Sequence, residues 1–494
     1  MISNYQMRQR IYQTLGVLLL LSVAACWLFV HDPLAYAKAR GQTLKNPEPT
    51  IPLACYTNTE SQYNPCWACH TISQSHNFQS DVGLQSQYNF SEAAKTNFWS
   101  NAFLDVREET KRIRDSEILD YIRKDNYQNL FDTLKNTTTN LLWKPDLSFS
   151  AGFDRDGFAN DNSGWRALRF KPFVGTFWPS NGSSNDVYIR LPLEFRKDQE
   201  QKLKSEIYQA NLAILELAMT TPPEKMPKTP LPDFYLGAAS QIKVTPYLYP
   251  QGTEFLHTVR YLDPDLASFT ALRMKEVRYS KKIRFFEPWA LVKIYGQEQA
   301  EKDDGRKPYF AGNAFDGLYN NFGWLYQSYI EDARGQLRLQ SYEEQMSCMG
   351  CHANLGVTVD SSFAFIRKVP GAEGWQTQNA SNITDVPQWQ HNKPEAQEYI
   401  ERAGALDEFR TNPAVNLDLD MKTTTLANWI FPSRAKALQM NKAYQILVKK
   451  QTFEYGRQVF LQPPTTLLKT VDIENTGLAE NHKIFFDGRL WLDW

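Results

Sequence analysis

The longest apolar stretch of the chain lies close to its beginning. Leu15 to Val30 carries no charge and follows Arg8 and Arg10, an arrangement typical of an export signal or a membrane anchor. Ala35-Tyr36-Ala37 then provides the small residues that a signal peptidase requires. This pattern favours cleavage after Ala37 and assigns residues 1–37 to a signal peptide or anchor.

Two other interpretations of this stretch remain open. Val23-Ala24-Ala25-Cys26 is similar to a lipobox, the sequence at which lipoproteins are processed, although the chain stays apolar for four residues beyond it. Residues 11–30 are also long enough to span a membrane without being cleaved. All three interpretations export the remainder, so we expect it in the periplasm or on the exterior face of a bacterial membrane.

Past residue 37 the pattern alternates between helical and extended spacing, which predicts an α+β fold. Asp115-Ser116 indicates a helix start, and residues 197–220 have the apolar spacing of an amphipathic helix. Short β-strands are expected between Leu147 and Arg196, where Val187 to Leu191 alternates after a turn-rich segment.

The second half of the chain continues this mixture. Residues 327–340 predict a hairpin, because turn residues lie between two extended runs. Helical spacing returns over residues 394–410 and 433–453.

Composition excludes some classes of protein. The 494 residues include 54 Lys and Arg against 55 Asp and Glu, a net charge of −1, so no nucleic-acid partner is expected through bulk positive charge. With 42% hydrophobic and 22% charged residues, the chain is typical of a folded globular protein.

Four of the six cysteines occur as two closely spaced pairs, each followed at once by histidine. The motifs are Cys66-Trp67-Ala68-Cys69-His70 and Cys348-Met349-Gly350-Cys351-His352. Two thiols at this offset can add to the two vinyl groups of one haem while the next imidazole reaches its iron. Two disulfide loops or a shared zinc ion are the alternatives, and Cys55 remains as an additional thiol.

On these two motifs the chain resembles the c-type cytochromes. The resemblance implies two covalently bound haem c groups, attached through Cys66 and Cys69 and through Cys348 and Cys351. It also implies that His70 and His352 are the proximal iron ligands.

The expected organisation follows from the motifs. A first haem c region over 38–145 and a second over 331–494 would flank a mixed insert of short strands and hairpins at 146–330. The function expected is that of an exported dihaem electron carrier with a redox protein as partner. A dihaem oxidoreductase resembling cytochrome c peroxidases, with one open haem site, is the alternative, and a haem-bearing sensor or binding module is a second one.

The ligands on the other side of each iron are less clearly marked. His257 lies in an apolar segment that could cover a haem, and Met226 lies in a proline-rich loop similar to those that offer a methionine ligand. A buried core histidine is the alternative for His257. His76, His391 and His482 are further candidates.

Two weaker patterns are also present. Asp154, Asp156 and Asn160 place oxygen-bearing side chains on alternate positions, which indicates either a calcium loop or an ordinary Asx turn. The basic residues between Arg273 and Arg284 could bind haem propionates or an acidic partner, although such a run usually forms a solvated face.

Overall fold

The described part of a computed structural model of the protein centres on one antiparallel sheet of eight strands. The structure describes residues 32–40, 56, 71–72, 96–169, 182–221, 230–304, 310–352, 358–362, 374–379, 381, 383–385, 394, 396, 425–461, 463, 467–470 and 485–486.

The strands are β1 (Arg166–Leu168), β2 (Ser184–Arg190), β3 (Glu254–Leu262), β4 (Thr270–Lys282), β5 (Gly312–Asn313), β6 (Gly317–Tyr319), β7 (Trp324–Glu331) and β8 (Leu337–Leu339). Their order in the sheet is β1-β2-β3-β4-β7-β6-β5, and β8 pairs with the far end of β7. Thr71–Ile72 and Phe485–Phe486 form a separate short parallel pair.

The helices are α1 (Ala35–Arg40), α2 (Arg107–Lys111), α3 (Asp115–Ile122), α4 (Tyr127–Lys135), α5 (Ser205–Thr220), α6 (Pro288–Asp303), α7 (Tyr342–His352), α8 (Ala427–Ile430) and α9 (Arg434–Lys450). The predicted α+β class is therefore confirmed. None of the helices in these ranges is both long and apolar enough to cross a membrane.

Both faces of the sheet are covered, because neighbouring side chains along a strand point to opposite sides. In β2, Val187 and Ile189 enter a cluster shared with α5 and α7, whereas Tyr188 enters a second cluster on the other face. The second cluster combines Leu34 and Tyr127 with residues of the sheet. Segments from far apart in the chain therefore share one sheet as their core.

Several predicted elements are confirmed. The strand expected around Val187 is β2, the hairpin expected over 327–340 is formed by β7 and β8, and the helix expected over 433–453 is α9. Residues 394–410 lie almost entirely outside the described residues.

The helix expected from residue 197 begins only at Ser205. Residues 197–204 instead fold back on themselves, with Lys197 and Leu203 paired in a bridge. Gln201 takes a left-handed conformation at the turn, and its N–H bonds the carbonyl of Asp198 at 3.1 Å. Local turn bonding therefore replaces the first two helical turns that the apolar spacing predicted.

Helix α5 covers its face of the sheet with a regular stripe. Tyr208, Leu212, Leu215 and Met219 recur every three or four residues and are buried. Leu217 points the other way and is 38% exposed.

Replacing Leu215 by alanine should lower the free energy of unfolding by about 2–5 kcal/mol, because the side chain leaves a cavity in a closed core. The matched change Leu217→Ala should alter it by no more than about 0.5 kcal/mol. Denaturant titration of both variants measures the difference. Equal effects would show that α5 does not bury this face.

Candidate functional site

The second cysteine motif lies in the last two turns of α7, next to the sheet. Met346 and Met349 of this helix are buried in the cluster that also contains Val187, Phe255 and Tyr326. The helix therefore packs over the face of the sheet to which these strand residues point.

A reciprocal cap fixes the beginning of α7. The N–H of Ser341 bonds Glu344 Oε2 at 2.9 Å, and the N–H of Glu344 bonds Ser341 Oγ at 3.3 Å. The serine and the glutamate three residues later are a signal that sequence reasoning could have used and did not.

Glu344 is also one half of a buried ion pair. The two terminal guanidinium nitrogens of Arg338, Nη1 and Nη2, bond its two carboxylate oxygens at 2.8 Å, and both side chains are at most 5% exposed. Burial acts to raise the pKa of Glu344, but Arg338 and the Ser341 N–H outweigh it and hold that pKa below its usual value.

Further arginines surround the same helix start. Arg457 bonds Gln340 Oε1 at 3.1 Å and Glu276 Oε2 at 3.0 Å, and it donates to the backbone carbonyl of Glu344. Arg278 bonds the same oxygen of Glu276 at 2.9 Å. The helix that carries the motif is thus held by a network of buried charges.

Helix α1 joins this network from the N-terminal side. The Arg338 guanidinium lies 3.5 Å from the centroid of the Tyr36 ring, and Arg40 bonds Glu454 at 2.8 Å. The carbonyl of Pro33 accepts the N–H of Leu339 at 2.8 Å. Leu34 and Ala37 are only 2% and 3% exposed, so this segment belongs to the folded body.

His257 lies on the sheet face that α7 covers. In β3 it is directly opposite Val187 of β2 and Arg278 of β4. Burial, with repulsion from Arg278 as a smaller cause, lowers the pKa of His257 to about 3. Solvent nevertheless reaches part of its surface.

Most of the other predicted site residues lie outside the described residues. These are Cys66, Cys69, His70 and Met226, together with His76, His391 and His482. The structure gives the position of Cys348, Cys351 and His352 on α7, and does not describe their side chains.

The predicted calcium residues stabilise a turn. Asp154 Oδ1 accepts the N–H groups of Asp156 and Phe158, both at 2.9 Å, and Asn160 Nδ2 bonds the carbonyl of Ala151. Within the described ranges, no group of three or more His, Cys, Asp or Glu side chains is arranged to hold a metal ion. These hydrogen bonds are those of an Asx turn, and calcium binding at Asp154, Asp156 and Asn160 stays a prediction.

The basic residues expected to form a solvated face are largely buried. Arg273, Lys275 and Lys282 are at most 5% exposed, because β4 lies in the middle of the sheet and both of its faces are covered. Arg273 pairs with Glu331 at 2.9 Å. The solvated-face interpretation is therefore wrong for these residues.

Comparison with known proteins gives a different relationship from the one that the motifs suggested. Residues 39–412 match the family model ":-like lipoprotein", which covers about three quarters of the chain. An uncharacterized lipoprotein of Aquifex aeolicus is 33% identical over 528 aligned positions, which cover 88% of this chain and 91% of that protein. The chain belongs to this lipoprotein family. No solved structure matches it.

This membership corrects the resemblance drawn from the cysteine motifs. The lipoprotein is not a member of the c-type cytochromes, because the match extends over most of the chain whereas the motifs cover ten residues. The expected function of an electron carrier depended on that resemblance and is therefore also wrong. The same holds for the two alternatives, a peroxidase-like oxidoreductase and a haem-bearing sensor. Membership gives no support to haem c regions at the two ends, and the predicted division into residues 38–145, 146–330 and 331–494 stays a prediction.

Membership of a lipoprotein family also supports the expected export of the protein. A lipoprotein is exported and held at a membrane, so the expected export is supported at that level.

Breaking the ion pair at the start of α7 should be costly. Arg338→Ala leaves the buried Glu344 without its partner and should lower the free energy of unfolding by about 3–5 kcal/mol. Arg334→Ala, in the same hairpin, removes a pair with Asp332 from a side chain that is 46% exposed and should cost about 0–1 kcal/mol. Denaturant titration compares the two; similar values would mean that the buried network does not hold α7.

Proposed function

We propose that the protein is a lipid-anchored lipoprotein of the bacterial envelope, attached through Cys26 and located in the periplasm or on the exterior face of a membrane. The sequence Val23-Ala24-Ala25-Cys26 supports this proposal, because small residues precede the cysteine that would carry the lipid. Family membership supports lipid attachment in general.

The packing of α1 favours processing at Cys26 over cleavage after Ala37. Cleavage there would remove Leu34 and Ala37 from the core and the carbonyl of Pro33 from its bond to Leu339. Losing two buried apolar side chains and a backbone hydrogen bond would cost several kcal/mol, on the order of 1.5–3 kcal/mol for the leucine alone. Processing at Cys26 keeps the whole segment.

The length of the connecting segment defines how the body is held. Five residues separate Cys26 from Asp32, the first described residue, and a fully extended chain of this length spans no more than about 20 Å. A lipid on Cys26 therefore keeps the folded body directly beside the membrane surface. We propose that holding the body at this surface is the role of the N-terminal segment, in place of a membrane-spanning anchor over residues 11–30.

Cys26→Ser should abolish lipid labelling and leave the leader attached. Cells fed a radioactive or alkynyl fatty acid should label the wild type and the control Cys55→Ser, whereas the Cys26 variant should remain unlabelled and migrate as the longer precursor. Mass spectrometry of the wild-type N-terminal peptide should begin at a lipid-modified Cys26. A mature chain that begins at Lys38 would contradict the proposal.

We also propose that the lipoprotein carries covalently bound haem at its two cysteine motifs, as the chemistry of those motifs predicts. Haem would bring an iron centre to each motif; we assign no activity to it. Cys348 and Cys351 would hold one group and Cys66 and Cys69 the other, with His352 and His70 beside them as iron ligands.

The surroundings of α7 support this proposal for the second motif. The helix is fixed at its start by buried charges, and the sheet face beneath it presents the imidazole of His257. Arg278 lies beside this imidazole in register and bonds Glu276 through Nε; a guanidinium is also the group that binds a propionate best. These groups suit a large planar ligand that has an iron at its centre and carboxylates at its edge.

Each motif should account for half of the haem. Pyridine haemochrome spectra of the denatured protein should give two haems per chain for the wild type and one for Cys348→Ala with Cys351→Ala. Cys55→Ser is the matched control and should retain both. A wild-type protein without a haemochrome spectrum, purified from cells that attach haem to other exported proteins, would overturn this proposal and leave the lipid anchor unaffected.

A further inference from the structure

Lys282, the last residue of β4, ends in the aromatic part of the core. Its Nζ atom donates a hydrogen bond to Oδ2 of Asp360, which lies in the loop that follows α7. The two side chains are 0% and 1% exposed. A lysine and an aspartate are therefore enclosed together in the interior of the protein.

The surroundings of this pair are largely apolar. The Lys282 Nζ atom lies 5.1 Å from the centroid of the Phe285 ring and 5.7 Å from that of Trp324. Within the described part of the chain, Asp360 is the one acceptor to which this ammonium group donates. Two of its three N–H bonds consequently have no acceptor there, which makes the charged form expensive.

In such a site the charge on Lys282 is disfavoured, because its ammonium group is removed from water. Burial lowers the pKa of Lys282, and transfer of one proton to Asp360 removes both charges from the interior. A neutral amine beside a neutral carboxyl group is the pair of reactants from which an amide forms.

The backbone holds the two groups in place. The N–H of Lys282 bonds the carbonyl of Thr253 at 2.9 Å, and the indole of Trp324 bonds the carbonyl of Asp360 at 3.1 Å. Thr358 Oγ1 donates to Asp360 Oδ1 at 2.7 Å. Fixed reactants have a high effective concentration, and a hydrogen bond to the oxygen that stays polarises the carboxyl carbon.

We propose that Lys282 and Asp360 form an intramolecular isopeptide bond. The lone pair of Nζ attacks Cγ of the protonated Asp360, and the negative charge that develops on Oδ1 is stabilised by Thr358. Two protons, one from the acid and one from the attacking nitrogen, leave with Oδ2 as water when the Cγ–Oδ2 bond breaks. The products are one amide and one water, and no oxidant or other reactant is consumed.

Other lysines of the same chain provide internal comparisons. Lys442 bonds Asp115 Oδ1 at 2.6 Å, but that carboxylate is 62% exposed, so the pair is not enclosed in the interior. Lys275 is as buried as Lys282, but its Nζ bonds the carbonyl of Gly182 and Ser183 Oγ. Neither of these two lysines donates a hydrogen bond to a buried carboxyl group in the described part of the chain, so we expect the bond at Lys282 and not at them.

Peptide mapping of the full-length wild-type protein tests the proposal. After tryptic digestion, residues 282–284 should appear joined to residues 339–367 in a branched peptide one water lighter than the sum of its parts. Fragmentation should locate the link at Lys282 and Asp360. Any haem on Cys348 and Cys351 adds its mass to this peptide, so the search includes both forms.

Lys282→Arg should abolish the branched peptide, because a guanidinium cannot act as the nucleophile, whereas the neighbouring Lys281→Arg should retain it. The peptides around Lys442 and Asp115 should remain unlinked in every sample. Thr358→Val should lower the linked fraction. If Lys282 and Asp360 occur only in separate peptides in the wild type, the pair is a buried ion pair and the proposal is overturned.

Discussion

The ion pair between Arg338 and Glu344 brings together elements from distant parts of the chain: β8, α7, α1 and the end of α9. Arg338 comes from β8, Glu344 begins α7, and Tyr36 of α1 covers the guanidinium. The same arginine bonds Gln451, just beyond α9. Two charges without water are costly unless every lone pair and proton has a partner, and here both oxygens and all the guanidinium nitrogens are used. The pair therefore defines a unique arrangement of these elements.

This arrangement explains why a sheet with both faces covered contains so many charges. β4 lies between β3 and β7, so residues such as Arg273 and Glu276 cannot reach the surface and must be paired inside the protein. Arg273 is paired with Glu331, and Glu276 with Arg278 and Arg457. Removing Arg273 would leave the buried Glu331 without its ion-pair partner, whereas Glu276 would keep one arginine after the loss of the other. The network restricts how the segments can pack as much as apolar burial does.

Sequence patterns predicted the elements whose signals are local. The alternation around Val187 and the turn within residues 327–340 depend on neighbouring residues, and both elements are present as β2 and the β7–β8 hairpin. The basic run from Arg273 was misinterpreted, because a strand buried on both faces cannot be recognised from its own residues. Its partners, Glu331 and Arg457, lie far along the chain. Residues 197–204, expected as the first two turns of a helix, form a local bridge between Lys197 and Leu203 instead. Apolar spacing alone does not predict such a bridge.

In the candidate site, too, the features with a local sequence signal could be predicted, and those that depend on tertiary packing could not. A five-residue motif specifies what its side chains can bind, but it carries no information about the several hundred residues around it, which is why the motifs gave the wrong family. The cap formed by Ser341 and Glu344 was readable in the sequence, whereas the position of His257 opposite Arg278 depends on strand register. Burial of α1 is likewise a tertiary property: Leu34 and Ala37 look like the end of a leader in the sequence, and only their packing against β8 shows that the body needs them. An export signal cleaved after Ala37 would end inside the fold, and the processing at Cys26 that we propose would keep this segment in the mature protein.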